Sequence, residues 1–146
     1  FGQLGGAVGW LDPATGATQL YPLKNAGAAV FSMAADGRGH IWFTELSGKH
    51  LGRIDLATRR VSELAVPDLL GTPDGLYQLV VAPDGTVWFA CSGVNAVVSY
   101  VPTSGVYTFY QLAAPDSVPY GLTLDRAGTL WLTADGTPNY IAAIRP

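Results

Sequence analysis

Apolar and polar positions fall into one recurring block along this chain. An apolar run, Met33–Ala35, meets the turn formers Asp36–Gly39. A second apolar run follows at Ile41–Thr44, carries Trp42 and closes on Glu45. The block returns without a gap at Leu79–Cys91 and at Leu122–Ala134. Trp42, Trp88 and Trp131 are 46 and 43 residues apart, and Phe31, Tyr77 and Tyr120 keep the same spacing. Trp10–Leu11–Asp12, Arg53–Ile54–Asp55, Ser99–Tyr100–Val101 and Ala143–Ile144–Arg145 recur at 43, 46 and 44. A strand-like repeat of about 44 residues predicts an all-β propeller of four-stranded antiparallel blades. No window sustains a helical i, i+3, i+4, i+7 pattern, and Gly and Pro interrupt the chain too often for a helical repeat.

Within one blade the strands run a to d from the hub outward. The pattern predicts a at Phe31–Ala35, b at His40–Glu45, c at Leu51–Asp55 and d at Val61–Val66. The c–d turns Asp12–Gly16 and Val101–Gly105 place Pro early and Gly late, as a tight hairpin requires. Asp55–Arg59 has neither, which predicts a looser turn there. Trp42, Trp88 and Trp131 are expected in the core between blades, because large aromatics at a fixed repeat position supply burial.

The chain divides into 1–27 (part of b, then c and d), a full blade at 28–73, a full blade at 74–117, and strands a, b and c at 118–146. That makes about three blades, whereas closed propellers have about 4–8. The expectation is an incomplete propeller whose remaining blades belong to the same protein, with self-association as the alternative. Strand c at both ends, with d missing at one, favours the first.

Composition adds limits. With 146 residues, 49% hydrophobic, the chain can bury one core, and its net charge of −3 offers no footprint for nucleic acid or an anionic membrane. No apolar run approaches the roughly 20 residues that span a bilayer. Cys91 is the lone cysteine, so no internal disulfide forms. A soluble protein is expected, cytoplasmic or secreted, since the chain starts at Phe1 and a leader could precede it.

Trp42–Phe43–Thr44–Glu45, with Leu51–Gly52–Arg53–Ile54–Asp55, Asp12–Pro13–Ala14–Thr15–Gly16 and Pro119–Tyr120–Gly121–Leu122, resembles the repeats of the virginiamycin B lyase (streptogramin B lyase) family of seven-bladed propellers. The resemblance covers essentially the whole chain. It implies a carbon–oxygen lyase, linked to antibiotic resistance, that opens cyclic depsipeptides at an ester by elimination. It also implies Mg2+, a histidine just before a strand a, and acidic residues near the channel mouth. The positions that match the family's histidine hold Phe31, Tyr77 and Tyr120.

The candidates follow from that frame. Glu45 and Asp135, near the ends of strands b, are the metal candidates, with a solvated strand end beside Lys49 and turn duty as their ordinary roles. Phe31, Tyr77, Gln78 and Tyr120 are the ligand-binding candidates, with packing between adjacent blades as the alternative role of the three aromatics. Three are equivalent aromatics expected at one rim of the channel, and the fourth is an amide where its neighbouring blade has Gly121. His40 and His50 are expected on different faces, outside any metal site, with a surface role for His50. Cys91 is expected to be buried and inert. Two functions remain open: a metal-assisted lyase acting on a cyclic ester or similar small molecule, and a propeller that binds a ligand or partner without chemistry. A calcium-dependent lactonase-like site would need more converging carboxylates than the chain offers.

Overall fold

The computed structural model describes residues 1–136 and 139–145. The described residues form four antiparallel sheets in chain order. The first holds β1 (Gly2–Gln3), β2 (Ala7–Leu11) and β3 (Thr18–Pro22). The second holds β4 (Val30–Ala35), β5 (His40–Glu45), β6 (His50–Asp55) and β7 (Val61–Ala65). The third holds β8 (Leu76–Val81), β9 (Val87–Cys91), β10 (Ala96–Val101) and β11 (Val106–Gln111). The fourth holds β12 (Val118–Leu124), β13 (Leu130–Asp135) and β14 (Tyr140–Ile144). The inner strands β4, β8 and β12 lie side by side, so the sheets radiate from a common edge as propeller blades do. Among the described residues no helix is long and apolar enough to cross a membrane.

Each pair of neighbouring sheets encloses a layer of core. Val8, Val30 and Phe43 fill the first gap, Trp42, Leu79 and Phe89 the second, and Trp88, Leu122 and Leu132 the third. Trp42 and Trp88 are buried as the repeat predicts. Trp131 is not: it is 42% exposed, on the face of the fourth sheet against which no sheet packs. Its indole N–H donates instead to the Asp125 carboxylate at 2.9 Å.

The expected loose turn at Asp55–Arg59 is also corrected. Arg59 adopts a φ of 57°, beside 72° for Gly16 and 71° for Gly105, so all three c–d turns close through a left-handed residue. The Thr58 N–H donates to the Asp55 carboxylate, and the Arg59 guanidinium lies 5.0 Å from the Trp10 ring centroid. These contacts hold a geometry that glycine adopts without help.

The b–c loops repeat a second device. Gly6, Lys49 and Asn95 are all left-handed, and their carbonyls accept from the backbone N–H of Leu23, Val66 and Leu112 just past strand d. Each blade thus ties its outer strand to its own loop with one backbone bond. Strand a carries a β-bulge in every sheet that contains one, between Val30 and Ser32, Leu76 and Leu79, and Pro119 and Leu122. A bulge re-aims the side chain of its extra residue.

Candidate functional site

The three bulges project Phe31, Tyr77 and Tyr120 from successive inner strands toward one another. Phe31 meets Tyr77 edge-on at 5.1 Å and Tyr120 edge-on at 5.5 Å, while Tyr77 and Tyr120 lie tilted at 4.5 Å. Edge-to-face and offset contacts are the arrangements aromatic quadrupoles favour. The three repeat-equivalent aromatics are one cluster at one rim, and Phe31 and Tyr120 remain substantially exposed.

Hydrogen bonds brace the bulges. Thr44 Oγ1 accepts from the Ser32 N–H at 3.2 Å and donates to the Tyr77 carbonyl at 2.7 Å, joining second and third sheets directly behind the aromatics. Ser32 Oγ accepts from the Leu79 N–H at 3.2 Å. In the fourth sheet Thr133 Oγ1 accepts from the Gly121 N–H at 3.0 Å. Gln78 is exposed, and with Gly121 and Thr133 it lines a shallow recess. A Cβ on Gly121 would stand 3.6 Å from the Gln78 amide oxygen. Asp135 is exposed and shares a recess with Tyr120 on the open face of the fourth sheet. Thr137 and Pro138, in the loop that follows Asp135, lie outside the described residues.

Glu45 is elsewhere. It shares the face of β5 that carries Phe43, toward the first sheet. Its carboxylate is fully buried, so the expected solvated end beside Lys49 is corrected. The register explains its neighbours. Phe43 pairs with Gly52 and Gly52 with Glu63, so the next inward row sets Glu45 opposite His50, with Glu63 on the diagonal. His50 Nδ1 lies 3.4 Å from Glu45 Oε2. Potential ligand atoms of Glu45, His50 and Glu63 all lie within 4.8 Å of one another. Burial, then the Glu63 charge, pushes the Glu45 carboxyl up to about 7, with His50 pulling the other way. Glu63 Oε1 accepts the Lys24 backbone N–H at 3.0 Å. Gly48 leaves room for this set, since a Cβ there would fall 2.0 Å from Glu45 Oε2.

Sequence reasoning missed His50 and Glu63. A comparison of the copies carries the signal: the third sheet has Ala96 and Phe109 at those positions, and the first has Ala7 and Leu20. His50 therefore does not have a simple surface role. His40 lies apart from it, with Nδ1 2.8 Å from the Asp36 carboxylate. Cys91 is buried, and burial pushes its thiol up to about 12, far from the thiolate that chemistry requires. An apolar cavity of about 620 Å³ lies between the first two sheets, beside Met33, Ile41 and Ile54.

A model of the virginiamycin B lyase family matches residues 3–145. No curated protein matches the chain. Among solved structures, selenomethionine-substituted virginiamycin B lyase from Staphylococcus aureus aligns with 23% identity and a TM-score of 0.79, covering 97% of this chain and 49% of that one. A catalytically inactive histidine-to-alanine variant of the S. aureus lyase with quinupristin aligns with 22% identity and a TM-score of 0.78, covering 96% and 48%. A nidogen/laminin complex aligns with 15% identity and a TM-score of 0.69, covering 97% and 55%. The chain spans about half the length of these solved proteins.

Proposed function

Because the chain belongs to the virginiamycin B lyase family, we propose that it supplies a ligand-binding part of a lyase-like propeller acting on a cyclic ester or a related small molecule. The carrying observation is the contact of Phe31, Tyr77 and Tyr120 at one rim. Exposed ring faces suit the apolar and aromatic parts of a cyclic depsipeptide, and the tyrosine hydroxyls and the Gln78 amide suit its carbonyls. Quinupristin, present with one of the S. aureus structures, is the natural probe.

In this role the chain's own residues bind and orient. The rim positions 31, 77 and 120 carry no histidine, so no general base of an elimination is assigned to them. Mg2+, implied by the family, polarises a leaving group when bound. Glu45 and Asp135 do not fit one such ion. Glu45 is buried against the first sheet, and Asp135 is exposed on the far face of the fourth. No step is therefore assigned to a metal held by that pair.

A second reading, binding without chemistry, is favoured by the absence of histidine at positions 31, 77 and 120. The complete protein incubated with quinupristin and Mg2+ separates the two. Linearised product by mass spectrometry is the expected outcome, and the Tyr77→Ala/Tyr120→Ala variant should weaken binding by about fivefold to a hundredfold, the range that two aromatic contacts of about 0.5–1.5 kcal/mol each give. Saturable binding without product would leave the second reading standing. Neither binding nor product would remove both.

A further inference from the structure

The second sheet gathers ligand-type side chains around the buried Glu45, on the face of β5 that points toward the first sheet. We propose that Glu45, His50 and Glu63 form a binding site for one first-row divalent cation of the Zn2+ class, which would tie together β5, β6 and β7. The site is independent of any chemistry at the rim.

Unmet valence is the first ground. Glu45 is 0% exposed, yet neither of its carboxylate oxygens has a hydrogen-bond partner. His50 Nδ1 and Glu63 Oε2 are buried atoms in the same condition. Buried carboxylates are ordinarily hydrogen-bonded, ion-paired or metal-bound, because the loss of water is otherwise uncompensated.

Geometry is the second. The 3.4 Å between His50 Nδ1 and Glu45 Oε2 falls outside hydrogen-bond geometry. Two donors each about 2.0–2.1 Å from a tetrahedral ion stand about 3.3 Å apart. All three ligand groups lie within 4.8 Å, so a small inward movement of Glu63 completes the set. The Lys24 N–H already holds the other oxygen of Glu63, as outer partners do for ligating carboxylates.

Charge and donor type select the ion. Two carboxylates share the site with one imidazole, and a divalent cation neutralises both while leaving the imidazole uncharged. An imidazole ligand favours Zn2+, Ni2+ or Cu2+, whereas Mg2+ and Ca2+ prefer oxygen throughout. The three polar positions arise together in one blade: their equivalents are Cys91, Ala96 and Phe109 in the third sheet and Gln3, Ala7 and Leu20 in the first.

The test uses the full chain, stripped with EDTA and titrated with Zn2+ by calorimetry. One ion should bind per chain, and saturating Zn2+ should raise Tm by about 5–10 °C, with Mg2+ giving no comparable shift. Co2+ should give the visible bands of a low-coordinate nitrogen–oxygen site. His50→Lys is the discriminating variant, because it supplies a permanent cation to both carboxylates but no imidazole. It should fold, lose the Co2+ bands and lower Zn2+ affinity at least about a hundredfold. Glu45→Gln should weaken binding likewise. Absence of one-to-one Zn2+ binding in the wild-type chain, or Zn2+ affinity unchanged in His50→Lys, would overturn the proposal in favour of an ion pair between His50 and Glu45.

Discussion

The second and third sheets share a backbone and differ in one buried row. Both close the b–c loop with a left-handed residue, Lys49 in one and Asn95 in the other. Both return the chain past strand d by the same bond, at 3.0 Å from Val66 to Lys49 and 2.9 Å from Leu112 to Asn95. On that common frame the second sheet carries Glu45, Gly48, His50 and Glu63 where the third carries Cys91, Val94, Ala96 and Phe109. The third fills the space with apolar contact. The second leaves it to Glu45, whose carboxylate oxygens have no hydrogen-bond partner, with His50 and Glu63 beside it. Backbone hydrogen bonds therefore define the blade without dictating what its interior does.

The sharpest break of the comparison is Cys91→Glu. It places a carboxylate in the third sheet with no imidazole opposite, and should cost about 3–5 kcal/mol. Chemical denaturation measures it, and a loss below about 1 kcal/mol would mean that the apolar row is not what distinguishes this blade.

The converse exchange, Glu45→Cys with Gly48→Val, His50→Ala and Glu63→Phe, gives the second sheet the interior of the third. Without metal it should stabilise the chain by about 1–4 kcal/mol. The gain should depend on pH. The Glu45 carboxyl is raised from 4.5 to about 7 in the folded chain. Between those values the folded chain keeps a proton that the unfolded chain releases, so wild-type stability falls as pH climbs through the window and stays lower above it. The advantage of the exchanged chain should widen from pH 5 to pH 8, as urea titrations in EDTA would read.

The smallest effect concerns the loop. Lys49 is strained at a φ of 56°, and Asn95 adopts 50° in the equivalent place with a residue suited to it. Lys49→Asn should gain a few tenths to about 1 kcal/mol, visible as a modest rise in Tm.

Much of the fold was legible in the sequence because repetition made it redundant. The spacing of Trp42, Trp88 and Trp131 placed strand b in the second, third and fourth sheets, although Trp131 lacks the neighbour that would bury it. Phe31, Tyr77 and Tyr120 were legible as equivalents. Their mutual contact was not, since it depends on bulges that pattern alone does not reveal. Glu45 stood out against Cys91 and Ala134, but its partners come from β6 and β7, five and eighteen residues onward, and only strand register brings them to it. Arg59 defied its composition, because a turn shape enforced on both sides overrides the residue's own preference.

The Thr44 bridge gives the rim a mechanical character. Its hydroxyl ties the Ser32 bulge to the Tyr77 carbonyl, so the contact between Phe31 and Tyr77 is braced from behind. The equivalent residue one blade on is Ala90, which has no hydroxyl with which to bind the Tyr120 carbonyl. Between Tyr77 and Tyr120 that side-chain brace is missing. If the rim binds a guest as proposed, the braced joint beside Phe31 and the unbraced one beside Tyr120 should make tolerance for bulk directional, with larger groups accepted on the Tyr120 side.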